Sequence, residues 1–491
     1  MNKQIDYRLI AYFSMVMFLY IIGVEYPFVG QLMGGVAFLI CIVYLVFNKP
    51  EMAFLHFLLN LTMSIESTLF ATGQSSGVIV YSFIVLPVIT IYGVILINTL
   101  IFFEAILVRR GCSLKISNPI NMNPKFLVRY SLYIIICGFI MLLITIMVND
   151  NGISSQVWYF ASIKSELFRM IMLVLTILNS VILLNKVPGF HIKLSKWMIA
   201  MLCSLIIVGI IAEIFNIHGY RMGKINVSAL PLFAFFGVGL IGFIKTSQRM
   251  KEKIVLAVFT TGLLIVMILK STPLGGKWFI AVLLILIFMM YAYMNSLKGL
   301  LISFGIIVLL IVLINSPLIE MIFKNNEYML QKFSEFKTIF LYARNLEQSD
   351  ASVAFRLDEI KNVWIEISKN PVYLFLGKGI VGTTLHHTSS YSWSAPGTFS
   401  EIQSIAGVYF QMHESTAIIL LKYGLVGIVG FVFTLFQLLK AVKISPWATI
   451  GFIWLIFYFG VYNSLLFGAV CMVLALYEYN NNSALLKRNL N

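Results

Sequence analysis

Charged residues are scarce in this sequence. Asp, Glu, Lys and Arg together make up 11% of the 491 residues, while hydrophobic residues make up 60% and the mean hydropathy is +0.93. A soluble globular domain carries about 25% charged residues, so this composition excludes one. The sequence therefore predicts a polytopic membrane protein.

Cysteine is also scarce. The five cysteines are Cys41, Cys112, Cys137, Cys203 and Cys471. They fall in apolar runs or in one short basic segment, and none lies between residues 317 and 413. Disulfides and cysteine-ligated metals are therefore not expected.

Long apolar runs are abundant. We count about 14, with a range of about 12–14, that can cross a hydrocarbon core about 30 Å thick. They lie near residues 9–26, 30–47, 52–71, 79–107, 127–148, 167–185, 198–216, 229–244, 254–270, 278–294, 299–316, 414–439, 446–461 and 463–478. The predicted fold class is an all-α bundle of transmembrane helices.

The positive charge is distributed over alternate short loops. The formal net charge is +15, and clusters such as Arg109, Arg110 and Lys115 lie between apolar runs with few acids nearby. Short loops rich in Lys and Arg face the cytoplasm, so we predict that both termini are cytoplasmic. No basic and aromatic recognition segment gathers the charge, so membrane lipid rather than nucleic acid is the expected partner.

One long polar segment interrupts the bundle. We predict a transmembrane part over residues 1–316 with about 11 helices, a large periplasmic loop over 317–413, final transmembrane helices over 414–478 and a cytoplasmic tail over 479–491. Within the loop, Ile360, Val363, Trp364 and Ile367 recur at helical spacing. That spacing predicts a short amphipathic helix, which Pro371 closes.

An ordered set of motifs spans the loop and the run that follows it. It comprises the helix that begins at Arg356 and contains Trp364, the pair Asn370-Pro371, the turn Leu374-Phe375-Leu376-Gly377-Lys378-Gly379, and a run from His413 to Gly424-Leu425-Val426-Gly427. In order and spacing this set resembles the loop signature of the O-antigen ligase and polymerase superfamily. The resemblance implies a lipid-dependent glycosyltransferase fold (GT-C-like) with a catalytic role for His413.

Glycosyl transfer develops charge on the departing phosphate oxygen and removes a proton from the attacking hydroxyl. Arg356 and Arg221 would stabilise the charge on the phosphate oxygen, and His413, which the resemblance marks as catalytic, would accept the proton. Glu414 follows His413, where the superfamily often has Asn or Asp. It either orients the imidazole or interacts favourably with the start of the helix.

Cations on segments predicted to be outside need a separate explanation. Arg221, Lys224, Lys270 and Lys277 lie beside helix ends with glycines nearby. They can bind the diphosphate of a polyprenyl donor, or they can interact with lipid headgroups. The possible glycan contacts are the polar and aromatic residues of two segments, namely His218, Tyr220, His386, His387, Tyr391 and Trp393.

The outer segments have no D-x-D cluster for a nucleotide sugar, so we predict a lipid-activated donor and neither metal nor cofactor. The predicted function is polymerisation of undecaprenyl-diphosphate-linked repeat units into O-antigen or capsule-type polysaccharide. Its partners would be donor and acceptor glycans, a chain-length regulator and a flippase. The alternatives are an O-antigen ligase, whose chains are typically shorter, and a lipid-linked oligosaccharide flippase, which has no obvious use for the long loop.

Overall fold

The computed structural model describes the greater part of the chain. The described residues are 5–25, 27–61, 65–66, 78–79, 90–110, 113–116, 118–148, 150, 158–214, 249–269, 351–388, 401–410, 412, 415–458 and 466–488. The chain divides into two units, one comprising residues 1–229 with 359–491 and the other comprising residues 230–358.

The described residues are mostly helical. The helices are α1 (Tyr7–Glu25), α2 (Pro27–Val46), α3 (Pro50–Leu61), α4 (Thr90–Ile106), α5 (Lys125–Met147), α6 (Trp158–Lys186), α7 (Phe190–Ile214), α8 (Met250–Leu269), α9 (Ala351–Ser368), α10 (Pro371–Leu376), α11 (Glu401–Ala406), α12 (Ser415–Ala441), α13 (Trp447–Tyr458) and α14 (Leu466–Arg488). A short 3-10 helix, Pro119–Asn121, precedes α5.

Three two-stranded antiparallel ladders accompany the helices. They pair β1 (Ile65–Glu66) with β2 (Val78–Ile79), β3 (Leu107–Arg110) with β4 (Ser113–Ile116), and β5 (Thr384–Leu385) with β6 (Val408–Tyr409). In the third ladder Thr384 is opposite Tyr409 and Leu385 is opposite Val408. This ladder joins the segment after α10 to the segment just before α12.

Three of the described helices are long and apolar enough to cross a membrane. They are Lys125–Met147, Phe190–Val208 and Ser415–Ala441, and shorter apolar helices lie within α1, α2, α4, α6 and α13. Helix α5 also carries exposed apolar side chains, among them Phe139, Ile140 and Leu143, as a lipid-facing surface would. An apolar, mainly helical protein with candidate spans is therefore confirmed, while the total of about 14 spans stays a prediction.

Two predicted spans contain short strands in their described residues. The run at 52–71 contains most of helix α3, which ends at Leu61, and then strand β1 (Ile65–Glu66). The run at 79–107 includes Ile79 of strand β2 and helix α4 (Thr90–Ile106).

Buried amides join α4 to α6 inside the bundle. Asn179 Nδ2 donates to Asn98 Oδ1 at 2.6 Å and to Asn98 O at 2.9 Å, and Asn98 Nδ2 donates to Thr176 Oγ1 at 3.2 Å. Interhelical hydrogen bonds of this kind stabilise helix packing where surrounding lipid offers no hydrogen-bonding alternative.

Candidate functional site

The segment after α9 forms a tight turn. The side chain of Asn370 caps α10 by accepting a hydrogen bond from Val372 N at 2.9 Å, and Pro371 occupies the first turn. The predicted amphipathic helix is present as α9, with Val363 and Ile367 buried but Trp364 exposed. After α10, Gly377 has φ +74° and Gly379 has φ +85°, a region that favours glycine.

This turn packs against a break in α12. At Gly424 the backbone has φ 60° and ψ −159°, which is not helical, so carbonyl groups of the preceding turn lose their helical partners. The backbone of the glycine turn replaces them. Lys378 N donates to Leu421 O at 2.8 Å, and Gly379 N donates to Lys422 O at 3.1 Å.

Helix α5 supplies further donors at the same break. Tyr133 Oη donates to Tyr423 O at 3.1 Å, and Tyr130 Oη donates to Gly427 O at 2.8 Å. Irregular backbone at membrane depth is tolerated only where protein groups satisfy it. The break in α12 meets that condition through bonds from both the turn and α5.

The glycines of this region are required by close contact. A Cβ at Gly377 would overlap the backbone of Lys422, a Cβ at Gly424 would overlap the backbone of Phe375, and one at Gly379 would overlap α5 at Leu142. The two glycine motifs of the sequence, G-K-G and G-L-V-G, therefore pack directly on each other. They form one structural element although more than forty residues separate them.

Between the two glycines, Lys378 enters a buried ion cluster. Its side chain is 0% exposed, and its ammonium contacts the carboxylate of Asp150, Glu366 Oε1 at 2.7 Å and Thr383 O at 2.8 Å. Its own carbonyl accepts a hydrogen bond from Thr145 Oγ1 at 2.7 Å. Lys378 thus links α9, the end of α5 and the break in α12.

Glu366 is the centre of this cluster and is 3% exposed. Its Oε2 atom accepts from Lys369 Nζ at 2.8 Å and lies 2.5 Å from His387 Nε2. Burial by itself raises the pKa of the Glu366 carboxyl. The positive charge of Lys378 and the hydrogen bonds from Lys369, Lys378 and His387 outweigh burial and lower that pKa to about 2. Glu366 is therefore a carboxylate at neutral pH.

A second contact fixes the loop that carries His387. The buried side chain of Asn362 accepts hydrogen bonds at Oδ1 from His387 N at 2.5 Å and from Thr388 N at 3.0 Å. Its Nδ2 atom donates to Thr388 Oγ1 at 2.8 Å. Residues 384–388 are consequently held along α9, with the His387 imidazole over Glu366.

A separate ion pair lies next to the break. Lys422 Nζ contacts the carboxylate of Glu166 on α6, and both side chains are buried. Charged groups within spans are costly, so they are normally paired with each other and turned toward the protein interior. This pair joins α12 to α6 at the level where the helix is interrupted.

The structure describes three of the predicted site residues. Arg356 lies in α9, and His386 and His387 lie in the loop beside it. The remaining predicted residues are outside the described part of the chain; they are His413, Glu414, Arg221, Lys224, Lys270, Lys277, His218, Tyr220, Tyr391 and Trp393.

Sequence reasoning missed the ion cluster. The motif pattern contains Lys378 only as the middle of a glycine turn, and it does not include Glu366, Lys369 or Asp150. The available signal was local, since a Glu and a Lys three residues apart on a helix face the same side. Asp150 is far from the turn in sequence, and nothing in the chain order points to its contact with Lys378.

In comparisons with known proteins, no family model, no curated protein and no solved structure matched this chain. Function is therefore argued from the sequence motifs and from the geometry described above.

Proposed function

We propose that this protein is a membrane glycosyltransferase that polymerises undecaprenyl-diphosphate-linked repeat units on the periplasmic face of the bacterial inner membrane. The observation that carries the proposal is the meeting of the G-K-G turn with the break in α12. That meeting brings two carboxylates, two lysines and a histidine to the ends of two candidate spans. A lipid-linked substrate presents its diphosphate and sugars at this depth.

The orientation of the two spans supports the proposal. Lys378 contacts Asp150, just after the end of α5, and Leu421, near the start of α12, so these two ends lie on the same side of the bundle. The distribution of basic loops independently assigns both ends to the periplasmic face. The proposal takes the fold to be a GT-C-like bundle of about 14 spans with both termini in the cytoplasm.

The anion-binding roles predicted from the sequence are part of the proposal. Arg356 and Arg221 would bind the diphosphate, because an arginine guanidinium forms bidentate hydrogen bonds to phosphate oxygens. Lys224, Lys270 and Lys277 would add positive charge around the same group. The ion cluster around Glu366 would hold the loop in register with α12 while the substrates bind.

Deletion of the gene tests the proposal. A polymerase mutant should attach a single repeat unit to lipid A core, or accumulate single lipid-linked units where the product is a capsule. A ligase mutant would instead accumulate lipid-linked polymer with bare core, and a flippase mutant would retain its single units on the cytoplasmic side. Normal long polymer in the deletion strain would refute the proposed function.

A further inference from the structure

We propose that His387 is the general base of the transfer reaction and that Glu366 is the positioning residue that orients its imidazole. This inference rests on the proposed function and assigns the proton-accepting atom within it. It gives His387 a different role from a glycan contact, and it transfers to His387 the role that the motif resemblance gives to His413.

The tautomer of His387 follows from its partner. An ionised carboxylate accepts hydrogen bonds and donates none, so the 2.5 Å contact with Glu366 Oε2 requires a proton on His387 Nε2. The Lys369 ammonium, 3.4 Å from the same nitrogen, is then a neighbouring cation and not a hydrogen-bond donor to the ring. In a neutral imidazole the other nitrogen, Nδ1, then carries the lone pair. Within the part of the chain that the structure describes, Nδ1 has no hydrogen-bond partner, and the side chain is 16% exposed. A basic nitrogen is thus present at the accessible edge of a buried cluster.

The position of the ring is fixed from two directions. Asn362 holds the backbone of His387 through its amide, and Glu366 holds the far nitrogen of the ring. Glu366 is itself held by Lys378, which is fully buried. Catalytic groups are effective when neighbouring contacts limit their motion in this way.

The charges of the cluster suit a neutral base. Two lysines, Lys369 and Lys378, face two carboxylates, Asp150 and Glu366, so the formal charges balance when the imidazole is neutral. The proton that His387 receives during reaction would create an imidazolium beside the Glu366 carboxylate. That carboxylate then stabilises the new charge, as an orienting acid does in other histidine-based sites.

The proposed step couples a proton transfer to His387 with transfer of the donor glycan. A hydroxyl of the acceptor sugar transfers its proton to Nδ1 of His387, and its oxygen forms a bond to the anomeric carbon of the donor. The bond between that carbon and the phosphate oxygen breaks, and undecaprenyl diphosphate leaves with the electron pair. The imidazolium afterwards returns its proton to water or to the released diphosphate, so no further reactant is needed.

The substitution His387→Gln tests the base directly. The Gln amide nitrogen can occupy the position of Nε2 and keep the hydrogen bond to Glu366, but Gln has no basic nitrogen. Wild-type and variant proteins would be reconstituted in vesicles with lipid-linked single units extracted from the deletion strain. We expect kcat per folded molecule to fall at least about a hundredfold with KM unchanged. The matched control is His191→Gln on α7, which should retain wild-type turnover.

Chemical rescue separates loss of the base from structural damage. His387→Gly should regain turnover when imidazole is added, because a free base can enter the space vacated by the side chain. Glu366→Gln should lower kcat without changing KM, and Glu366→Asp should recover part of it, since it keeps a carboxylate. Rescue of His413→Gly but not of His387→Gly would return the base to His413 and overturn the inference.

Wild-type turnover in His387→Gln would also overturn the inference. That result would leave the proposed function intact, provided that the wild-type protein polymerises the same extracted units. The proposed function would instead be refuted if the wild-type protein failed to polymerise these units and the deletion strain still made normal polymer. The two failures are therefore distinguishable.

Discussion

Replacement of Lys378 by Met should destabilise the protein far more than the same replacement of Lys369. Both ammonium groups bond to Glu366, at 2.7 and 2.8 Å, but the Lys378 side chain is 0% exposed and the Lys369 side chain is 51% exposed. Methionine keeps an apolar stem of similar length, so the main change is the loss of charge. The two substitutions therefore compare one interaction at two degrees of burial.

The expected magnitudes follow from burial. Lys378→Met leaves the Glu366 and Asp150 carboxylates without their shared cation, and removal of one partner from a buried ion pair costs about 3–5 kcal/mol. Lys369→Met removes an exposed interaction, which is worth about 0–1 kcal/mol. The double substitution Lys378→Met with Asp150→Asn should recover part of the lost stability, because it removes one of the two carboxylates that Lys378 neutralises.

Thermal unfolding in detergent can be followed with a thiol-reactive dye. Cys41, Cys137, Cys203 and Cys471 are free and buried, so they react when the bundle opens. Lys378→Met should lower the unfolding temperature clearly, and Lys369→Met should leave it almost unchanged. Equal unfolding temperatures for the two variants would refute the argument that burial sets the strength of this cluster.

Three further predictions concern pH, backbone and topology. The pKa of Glu366 is lowered from 4.5 to about 2, so the carboxylate contributes its full stabilisation above about pH 4.5 and loses it as the pH falls toward 2. The difference in unfolding temperature between wild type and Glu366→Gln should therefore shrink as the pH falls over that range. Gly424→Ala should lower the free energy of unfolding by at least about 1–3 kcal/mol from backbone strain alone, which would be measured as a loss of abundance and thermal stability. Gly35→Ala is the control and should be tolerated, because nothing lies within 4 Å of the added Cβ. Cysteine labels at Lys251 and Ser389 should react from opposite sides of the membrane, and labelling from one side would contradict the predicted topology.

Hydropathy predicted the helical bundle closely where spans are continuous. The runs at 127–148 and 414–439 correspond to α5 (Lys125–Met147) and α12 (Ser415–Ala441) within a few residues. Both helices are long and mainly apolar, so hydropathy alone predicted closely where they begin and end. The prediction was poorer at 52–71, where residues 65–66 form strand β1 rather than helix.

The ion cluster and the break in α12 could not be predicted in the same way. A glycine inside an apolar run is compatible with a continuous helix, and the φ of Gly424 depends on contact with Phe375 and the G-K-G turn. The contact of Lys378 with Asp150 likewise depends on tertiary packing. The sequence marked both glycine motifs, but their contact with each other and the ion cluster beside them join residues that are distant in sequence.

The break in α12 also has a consequence for biogenesis. The described groups that satisfy or neutralise it come earlier in the chain: Tyr130 and Tyr133 of α5, Glu166 of α6, and the amides of Lys378 and Gly379. When ribosomal synthesis reaches α12, these partners have already been made. Helix α12 can therefore enter the bilayer directly against a prepared docking surface. Circular permutation could move α12 ahead of the loop. In that variant, α12 would expose unpaired carbonyls and an unpaired lysine to lipid until synthesis was complete.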